Sequence, residues 1–291
     1  MSALEFRDLD ILFPPPGTSR RRARAALKSA LAALDAGGSR VEIAERTGVI
    51  VGVSRANLTV ERGQISVLMG LSGSGKSTLL RAANGLNPIT RGEVLLRHGE
   101  AVIDVAHCDA PTLRRVRRAA IAMVFQQFAL LPWRTVRENV GFGLELRGES
   151  APVRRRVVDE QLALVGLSQW ADHHVGELSG GMQQRVGLAR AFATDAEILL
   201  MDEPFSALDP LIRRKLQDEL LSLQARLRKT ILFVSHDLDE ALKIGDRISI
   251  LEGGRIVQTG TARQIIETPA DGYVAEFVRH VNPHTVLKQD S

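Results

Sequence analysis

A glycine-rich segment, GLSGSGKST (70–78), constrains the fold more than any other part of the sequence. It fits the pattern G-x-x-x-x-G-K-[ST] at every fixed position, and it directly follows the continuous apolar run ISVLM (65–69). Such a run is typical of a strand that is buried on both faces of a parallel sheet. A strand, a glycine-rich loop and a helix beginning near Lys76 together predict a phosphate-binding loop within an α/β fold.

The residue types of this loop indicate how it would hold a nucleotide. Its glycines allow backbone N–H groups to turn toward phosphates, and the helix N-terminus adds a favourable dipole. We expect Lys76 to reach the β- and γ-phosphates and the Ser77 hydroxyl to ligate Mg²⁺. The nucleotide-binding residues predicted in this loop are Gly70, Ser72, Gly73, Ser74, Gly75, Lys76, Ser77 and Thr78.

Two further apolar runs, EILLM (197–201) and TILFV (230–234), are each followed by polar residues. Since ligands gather at the carboxyl ends of parallel strands, these residues are expected near the phosphate loop. Asp202 is predicted to hold Mg²⁺, and Glu203 is predicted to polarise the attacking water. His236, which follows the second run, is predicted to contact the γ-phosphate.

The other elements follow from hydrophobic periodicity and from turn residues. They are a strand at Ala3–Phe13, a helix at Arg20–Leu34, hairpins at 92–105 and 247–259, a mostly helical block at 109–190 and a helix at Leu211–Leu227. The stretch SRVEIAERTGVIVGVSRANL (39–58) also permits a DNA-binding helix-turn-helix. Its β-branched run VIVGV (49–53) favours a strand instead.

Composition limits the classes of protein to which the chain can belong. The single cysteine, Cys108, excludes an internal disulfide and indicates a reducing compartment. The N-terminus lacks the features of a signal peptide, and no run of apolar residues is long enough to span a bilayer, so a cytosolic protein is expected. Arginines cluster at Arg20–Arg22, Arg114–Arg118 and Arg154–Arg156, but aromatic residues are not interleaved with them. These clusters are interpreted as solvated surfaces, and no nucleic-acid partner is expected.

A second glycine-rich helix start, LSGGMQQR (178–185), lies about a hundred residues after the phosphate loop. MDEP (201–204), SALD (206–209) and SHD (235–237) follow it in order. With these motifs the chain resembles, over roughly residues 40–280, the ATP-binding subunit of an ABC transporter. The resemblance implies an ATPase that uses ATP and Mg²⁺. It also implies a P-loop NTPase (RecA-like) core with an inserted helical subdomain and a small antiparallel β subdomain.

The resemblance also gives boundaries within the chain. Residues 1–291 are expected to form a single ABC ATPase domain. It would contain an N-terminal helical insertion at 14–48, a helical signature subdomain at 107–190 and a C-terminal tail at 261–291.

In this family two nucleotide-binding subunits enclose two ATP molecules between them. The resemblance therefore implies a second copy of the chain as partner, whose ATP would be contacted by the second helix start. The residues assigned to this contact are Ser179, Gly180, Gly181 and Gln183. Asp209 is expected near the opposite ATP site. A plain N-cap role for Ser179 is compatible with this assignment.

Gln126, in MVFQQFALLPW, matches the family glutamine that contacts Mg²⁺ or the attacking water and senses the membrane partner. Gln127 fits less well, because the family places its glutamine directly after the aromatic residue, here Phe125. One departure concerns the adenine, since the aromatic residue that often stacks on it would fall near Thr47. Phe13 is the alternative stacking residue.

Longer segments resemble importers for choline and glycine betaine, most closely the choline type. They are residues 33–53, 70–94 and 124–148. This implies a subunit bound to an integral membrane permease at the cytoplasmic face of the membrane, served indirectly by a substrate-binding protein. No tandem CBS regulatory module is expected within the 291 residues. The alternatives are a soluble ABC ATPase not coupled to transport, and a regulator that binds DNA through Arg20–Arg55.

Overall fold

The computed structural model of the protein describes residues 1–206 and 208–279. The strands are β1 (Ser2–Phe13), β2 (Ile50–Glu61), β3 (Ile65–Met69), β4 (Arg91–His98), β5 (Ala101–Asp104), β6 (Ile121–Val124), β7 (Ile198–Asp202), β8 (Thr230–Val234), β9 (Arg247–Glu252) and β10 (Arg255–Gly260). The α-helices are α1 (Arg20–Asp35), α2 (Arg40–Thr47), α3 (Lys76–Ala82), α4 (Ala110–Arg115), α5 (Val136–Leu146), α6 (Ala151–Leu164), α7 (Gly180–Ala193), α8 (Pro210–Leu227), α9 (Leu238–Ile244), α10 (Ala262–Glu267) and α11 (Gly272–Val278).

The centre of the molecule is a six-stranded sheet in the order β10-β9-β3-β8-β7-β6. Neighbouring strands are parallel except at the edge, where β10 pairs with β9 in an antiparallel hairpin. Every residue of β3, β7 and β8 is buried, as their continuous apolar runs predict. The α/β core and the terminal hairpin expected from the sequence are confirmed.

Helices and a second sheet cover the two faces of this core. One face packs against α3 and the antiparallel sheet β2-β1-β4-β5. Residues from α7, α8, α9, α10 and α11 pack against the opposite face. Successive strand residues such as Leu199 and Leu200 belong to different clusters, because side chains alternate across a strand.

Helices α1 and α2 form the helical insertion at 14–48, between β1 and β2. Their buried residues Ala30, Leu34 and Ile43 pack with Leu12 and Val51 of the antiparallel sheet. The stretch that suggested a helix-turn-helix contains one helix, α2, followed by the long strand β2. The strand interpretation is therefore confirmed, and the second helix of the DNA-binding alternative does not form.

A separate apolar cluster holds α5, α6 and α7 together as a helical subdomain. The block at 109–190, predicted to be mostly helical, also contains one strand, β6, which pairs with β7 in the core sheet. This strand has only four residues, Ile121–Val124. So short an apolar run does not distinguish a strand from a helical turn by its periodicity.

The predicted C-terminal tail at 261–291 begins with α10 and α11, which pack on the core through Ile265 and Val274. Residues 280–291 of that tail lie outside the described residues. Within the described part of the chain, no helix is long and apolar enough to cross a membrane.

Charged side chains anchor the helical insertion to the antiparallel sheet. Asp10 of β1 is fully buried and accepts hydrogen bonds from Arg91 Nε at 2.6 Å and from the backbone N of Arg55 at 2.8 Å. The two terminal nitrogens of Arg91 also donate to Asp35, at the end of α1, at 2.8 and 2.9 Å. One arginine therefore joins a buried carboxylate to the insertion.

Replacing Arg91 by Leu should lower the free energy of unfolding by about 3 kcal/mol, because Asp10 would stay buried without its cation. The measurement is urea unfolding at neutral pH. As a control, Arg7→Leu removes an exposed ion pair to Glu5 on the same strand and should cost less than about 1 kcal/mol. Equal losses for the two variants would contradict the anchoring role.

Candidate functional site

The phosphate loop lies between β3 and α3, and its backbone requires glycine at two tightly packed positions. Gly70 has φ 142° and Gly75 has φ 104°. A methyl group added to Gly70 would lie 2.2 Å from the carbonyl oxygen of Leu251, and one added to Gly75 would lie 2.5 Å from that of Gly52. Neighbouring backbone therefore fixes the shape of the loop, and the helix begins at Lys76 as predicted.

Lys76 lies beneath the loop, with its side chain folded into it. Its Nζ donates to the carbonyl oxygens of Gly70 at 2.7 Å and Leu71 at 3.0 Å. Burial lowers the pKa of Lys76, and the nearby carboxylates of Glu203 and Asp202 oppose that effect. The acceptors that hold this ammonium group are neutral, so an anionic phosphate can replace them with a stronger, charge-assisted hydrogen bond.

Asp202 ends β7 and is fully buried beside the start of α3. The Ser77 hydroxyl donates to its Oδ1 at 2.6 Å, and Arg81 donates to its Oδ2 from Nε at 3.1 Å and from Nη2 at 2.9 Å. Arg81 is a further site residue, which was not predicted from the sequence. Its position four residues after Ser77, on the same face of the helix, is the signal that could have identified it.

Glu203 follows Asp202, and its carboxylate has different partners. Its backbone is left-handed, with φ 49°, and its N–H donates to the carbonyl oxygen of Val234 at 3.1 Å. Its Oε2 accepts a hydrogen bond from Gln126 Nε2 at 3.1 Å and lies 3.2 Å from His236 Nδ1. The three side chains predicted to be catalytic are therefore in direct contact.

These residues surround a cleft of about 500 Å³, a size typical of small-molecule sites. The lining residues are Ser72, Gly73, Gly75, Lys76, Ser77, Thr78, Gln126, Glu203 and His236. Gly70 and Ser74 were also predicted to bind nucleotide, but they are not part of the lining. They contribute to the inner structure of the loop. Asp202 is not part of the lining either, but it accepts a hydrogen bond from Ser77, which is.

Helix α7 is tied to the cleft by two side chains that the sequence analysis did not identify. Gln184 is buried, and its amide donates to the carbonyl oxygen of Glu203 at 3.4 Å. Arg190 donates to the carbonyl oxygens of Ala129 at 2.7 Å and Phe128 at 2.9 Å, two left-handed residues in the loop after Gln126. Both contacts depend on packing between distant segments, which leaves no local sequence pattern.

The remaining predicted nucleotide-binding residues lie at helix starts outside the lining of the cleft. Ser179 caps α7 by accepting from the backbone N of Met182 at 3.4 Å, and Asp209 caps α8. The Gln183 amide is turned inward and donates to the carbonyl oxygen of Val175 at 3.0 Å. Gly180 and Gly181 form the first turn of α7, so this chain alone does not bring these residues to its own cleft.

Phe13 lies close to the phosphate helix. A methyl group added to Gly52 would lie 2.7 Å from Phe13 Cε2 and 3.1 Å from Thr78 Cγ2, so both side chains border the same backbone position. The hydroxyl of Thr47, where the family often has an aromatic residue, donates to the carbonyl oxygen of Ile43 at 2.6 Å. Phe13 is therefore an aromatic side chain near the cleft.

A buried hydrogen-bond network holds the turn that carries His236. The Ser235 hydroxyl donates to Glu240 at 2.6 Å, and the Gln217 amide of α8 donates to the other oxygen of Glu240 at 2.9 Å. All three side chains are buried. Burial raises the pKa of Glu240, although the two hydrogen bonds oppose this effect.

The raised pKa gives Glu240→Gln a pH-dependent effect on stability. A carboxyl group with a raised folded-state pKa contributes stability below its ordinary pKa of 4.5, and this stability is lost as the pH rises through the folded value. Glutamine does not titrate, so the variant should gain stability relative to wild type between about pH 5 and about pH 8. Urea unfolding at both pH values measures the difference. A difference between Glu240→Gln and wild type that stays constant with pH would contradict the expectation.

Comparison with known proteins identifies the family of the chain. Residues 53–206 match the model of the ABC transporter family. ProV, the ATP-binding protein of the glycine betaine/proline betaine transport system of Escherichia coli (strain K12), is 53% identical over 249 residues, covering 86% of this chain and 61% of ProV. The glycine betaine/carnitine transport ATP-binding protein GbuA of Listeria monocytogenes serotype 1/2a (strain 10403S) is 49% identical, with 86% and 62% covered. The chain thus spans about three fifths of these relatives.

Solved structures agree with this placement. The dimeric bacterial ABC transporter cassette MJ0796 superposes with a TM-score of 0.74 at 30% identity, covering 89% of this chain and 99% of the cassette. A second dimeric structure of that cassette, in a post-hydrolysis state with ADP and Pi, gives a TM-score of 0.73. With a family match over more than half of its length, and with the phosphate cleft described above, the chain belongs to the ABC transporter family.

Proposed function

We propose that this chain is the ATP-hydrolysing subunit of an ABC importer for choline or a related quaternary amine such as glycine betaine. It would work at the cytoplasmic face of the membrane, bound to a separate permease. The observation that carries the proposal is the convergence of the phosphate loop, Gln126, Glu203 and His236 on one cleft.

The geometry of the cleft suits hydrolysis of a nucleoside triphosphate. Backbone N–H groups of the loop and the Lys76 ammonium group bind the phosphates. Glu203 accepts a proton from the attacking water and orients it in line with the γ-phosphate. Gln126 and His236 hold the Glu203 carboxylate in place, and His236 can also stabilise the charge that develops on the phosphate.

The same residues fit Mg²⁺. Ser77 Oγ and Asp202 Oδ1 lie 2.6 Å apart, so two hard oxygen atoms of the kind that Mg²⁺ prefers are already adjacent. These two side chains, with the amide oxygen of Gln126, would hold the ion. When bound, Mg²⁺ neutralises charge on the phosphate oxygens. Arg81 orients the Asp202 carboxylate from the other side.

Replacing Glu203 by Gln should lower kcat for ATP hydrolysis by at least about 100-fold, because the base that orients the water is lost. ATP binding should change little, since the loop and Lys76 remain. Phosphate release and calorimetric ATP binding measure the two effects. Glu100→Gln, an exposed substitution of the same kind, is the matched control. Turnover by Glu203→Gln at the wild-type rate would refute the assigned role.

A second copy of the chain would complete each ATP site. Ser179, Gly180, Gly181, Gln183 and Asp209 are grouped at two helix starts outside the chain's own cleft. A helix start offers backbone N–H groups to an anion, and the similar cassette MJ0796 is dimeric. In the proposed dimer, these residues of one copy contact the ATP held by the other, and Phe13 stacks on the adenine.

The permease would bind to a groove of about 790 Å³ on the helical subdomain. Trp133 borders this groove with 71% of its surface exposed, next to Arg134, Arg137 and Arg154. Tryptophan and arginine are the residue types that most often dominate protein interfaces. Trp133 and Gln126 lie in the same loop, so a permease bound at Trp133 could shift Gln126 in the cleft.

Replacing Trp133 by Ala should abolish co-purification with an integral membrane protein while leaving the ATPase rate of the isolated chain unchanged. The experiment is tagged purification from detergent-solubilised membranes of the source cell, followed by mass spectrometry. Val102→Ala serves as the control, because it removes an exposed apolar side chain of β5 that does not line the groove. A wild-type protein that purifies only as a soluble homodimer would contradict the importer proposal but leave the ATPase chemistry intact.

The substrate assignment is supported by the names of the relatives, which are transport proteins for glycine betaine, proline betaine and carnitine. A quaternary ammonium group is recognised by an aromatic cage, and this chain has two Trp and one Tyr, which are scattered. The cage would therefore belong to a separate substrate-binding protein. Stimulation of the complex's ATPase activity by that protein with choline or glycine betaine tests the assignment, and equal stimulation without amine would overturn it.

A further inference from the structure

A side chain of the helical insertion at 14–48 reaches the phosphate loop. Arg40, the first residue of α2, donates from Nη1 to the carbonyl oxygen of Gly73 at 3.3 Å. The family match begins at Val53, so this contact comes from outside the matched segment. The insertion is thus connected to the part of the chain that would hold the nucleotide.

The fold fixes the position of Arg40. Ser39 and Glu42 form a reciprocal capping box at the start of α2, with bonds of 3.2 and 2.8 Å. Ile43, one turn further along, is fully buried in the apolar cluster of the insertion. The capping box and the burial of Ile43 therefore fix the start of α2, and with it the position of Arg40.

On the loop, the peptide group between Gly73 and Ser74 is held at both of its polar ends. The carbonyl oxygen of Gly73 accepts from Arg40, and the N–H of Ser74 donates to the carbonyl oxygen of Leu71 at 3.1 Å. That same oxygen of Leu71 accepts from Lys76 Nζ. One hydrogen-bonded chain therefore runs from the insertion through the middle of the loop to the phosphate-binding lysine.

Gly73, whose carbonyl oxygen accepts from Arg40, is open on the side where a side chain would lie. A methyl group added to Gly73 would meet no atom of the described residues within 4 Å, and Gly73 has φ 77°. By contrast, the neighbouring Ser74 is held by Gly254 of the β9–β10 turn, whose N–H donates to the Ser74 carbonyl oxygen at 3.0 Å. A planar peptide cannot change the direction of its carbonyl without turning its N–H as well.

We propose that Arg40 is a positioning residue for nucleotide binding, which holds the Gly73–Ser74 peptide so that the loop keeps the shape that phosphates require. The inference rests on the proposed ATPase function. Arg40 acts through the loop, whereas Glu203, Gln126 and His236 lie on other segments. Its removal should therefore weaken ATP binding and leave the chemical step almost unchanged.

The test compares Arg40→Ala, Arg40→Lys and the control Arg46→Ala, an exposed arginine near the end of the same helix. For Arg40→Ala we expect the Kd and KM for ATP to rise about five- to tenfold, as for loss of one typical hydrogen bond, with kcat within about twofold. Arg40→Lys keeps a donor and should recover most of the affinity. Thermal unfolding without nucleotide should be the same for all variants.

Three results would overturn the inference. The first is an Arg40→Ala protein whose affinity for ATP equals that of Arg46→Ala, and the second is a loss confined to kcat. The third is a fall in the thermal midpoint without nucleotide that matches the loss of affinity, because it would indicate general packing. A wild-type protein that does not bind ATP would overturn the proposed function as well, so the two failures are distinguishable.

Discussion

Parallel pairing of β8 with both β3 and β7 determines where the chemistry of this chain can occur. Val234, the last residue of β8, pairs with Leu68 on one side and with Asp202 on the other, so the three strands end almost level. The phosphate loop, the Asp202–Glu203 pair and the His236 turn are the segments that follow these ends. Because all three strands are fully buried, a shift in their register would displace apolar side chains and is strongly disfavoured. The site thus depends on the packing of the core.

Helix α7 connects the ends of these strands to the surfaces that partners would use. Gln184 and Arg190 extend from one helix, α7, to the Glu203 turn and to the loop after Gln126. The same helix begins at the second glycine-rich segment. A displacement of α7 would therefore move both Glu203, the proposed base, and the loop that carries Trp133. In the proposed importer this packing would give a mechanical route between ATP and permease that needs no contact between the two.

Much of the site is predictable because its residues obey local rules: a glycine-rich loop follows a buried strand, and carboxylates follow another. Gln126 required the family resemblance, since no local rule distinguishes it from Gln127. Gln184 and Arg40 were not identified because each acts on a residue distant in the chain, at a place that only the tertiary structure sets. Arg81 lies one helical turn after Ser77, so its contact with Asp202 did have a local signal. Likewise, β6 is a strand because β7 offers it a partner, and its four residues carry too little pattern to show this.

The left-handed backbone at Glu203 has an evolutionary consequence. A residue with a Cβ atom at positive φ costs roughly 1–2 kcal/mol, a cost that glycine largely avoids. Selection for stability alone would favour glycine at this position, and only selection for the carboxylate would oppose it. Under the proposed function, a copy of this gene released from the need to hydrolyse ATP would therefore lose the Glu203 carboxylate along a path that makes the protein more stable. Such a descendant would keep the fold and the cleft, and its sequence would reveal the lost activity at a single codon.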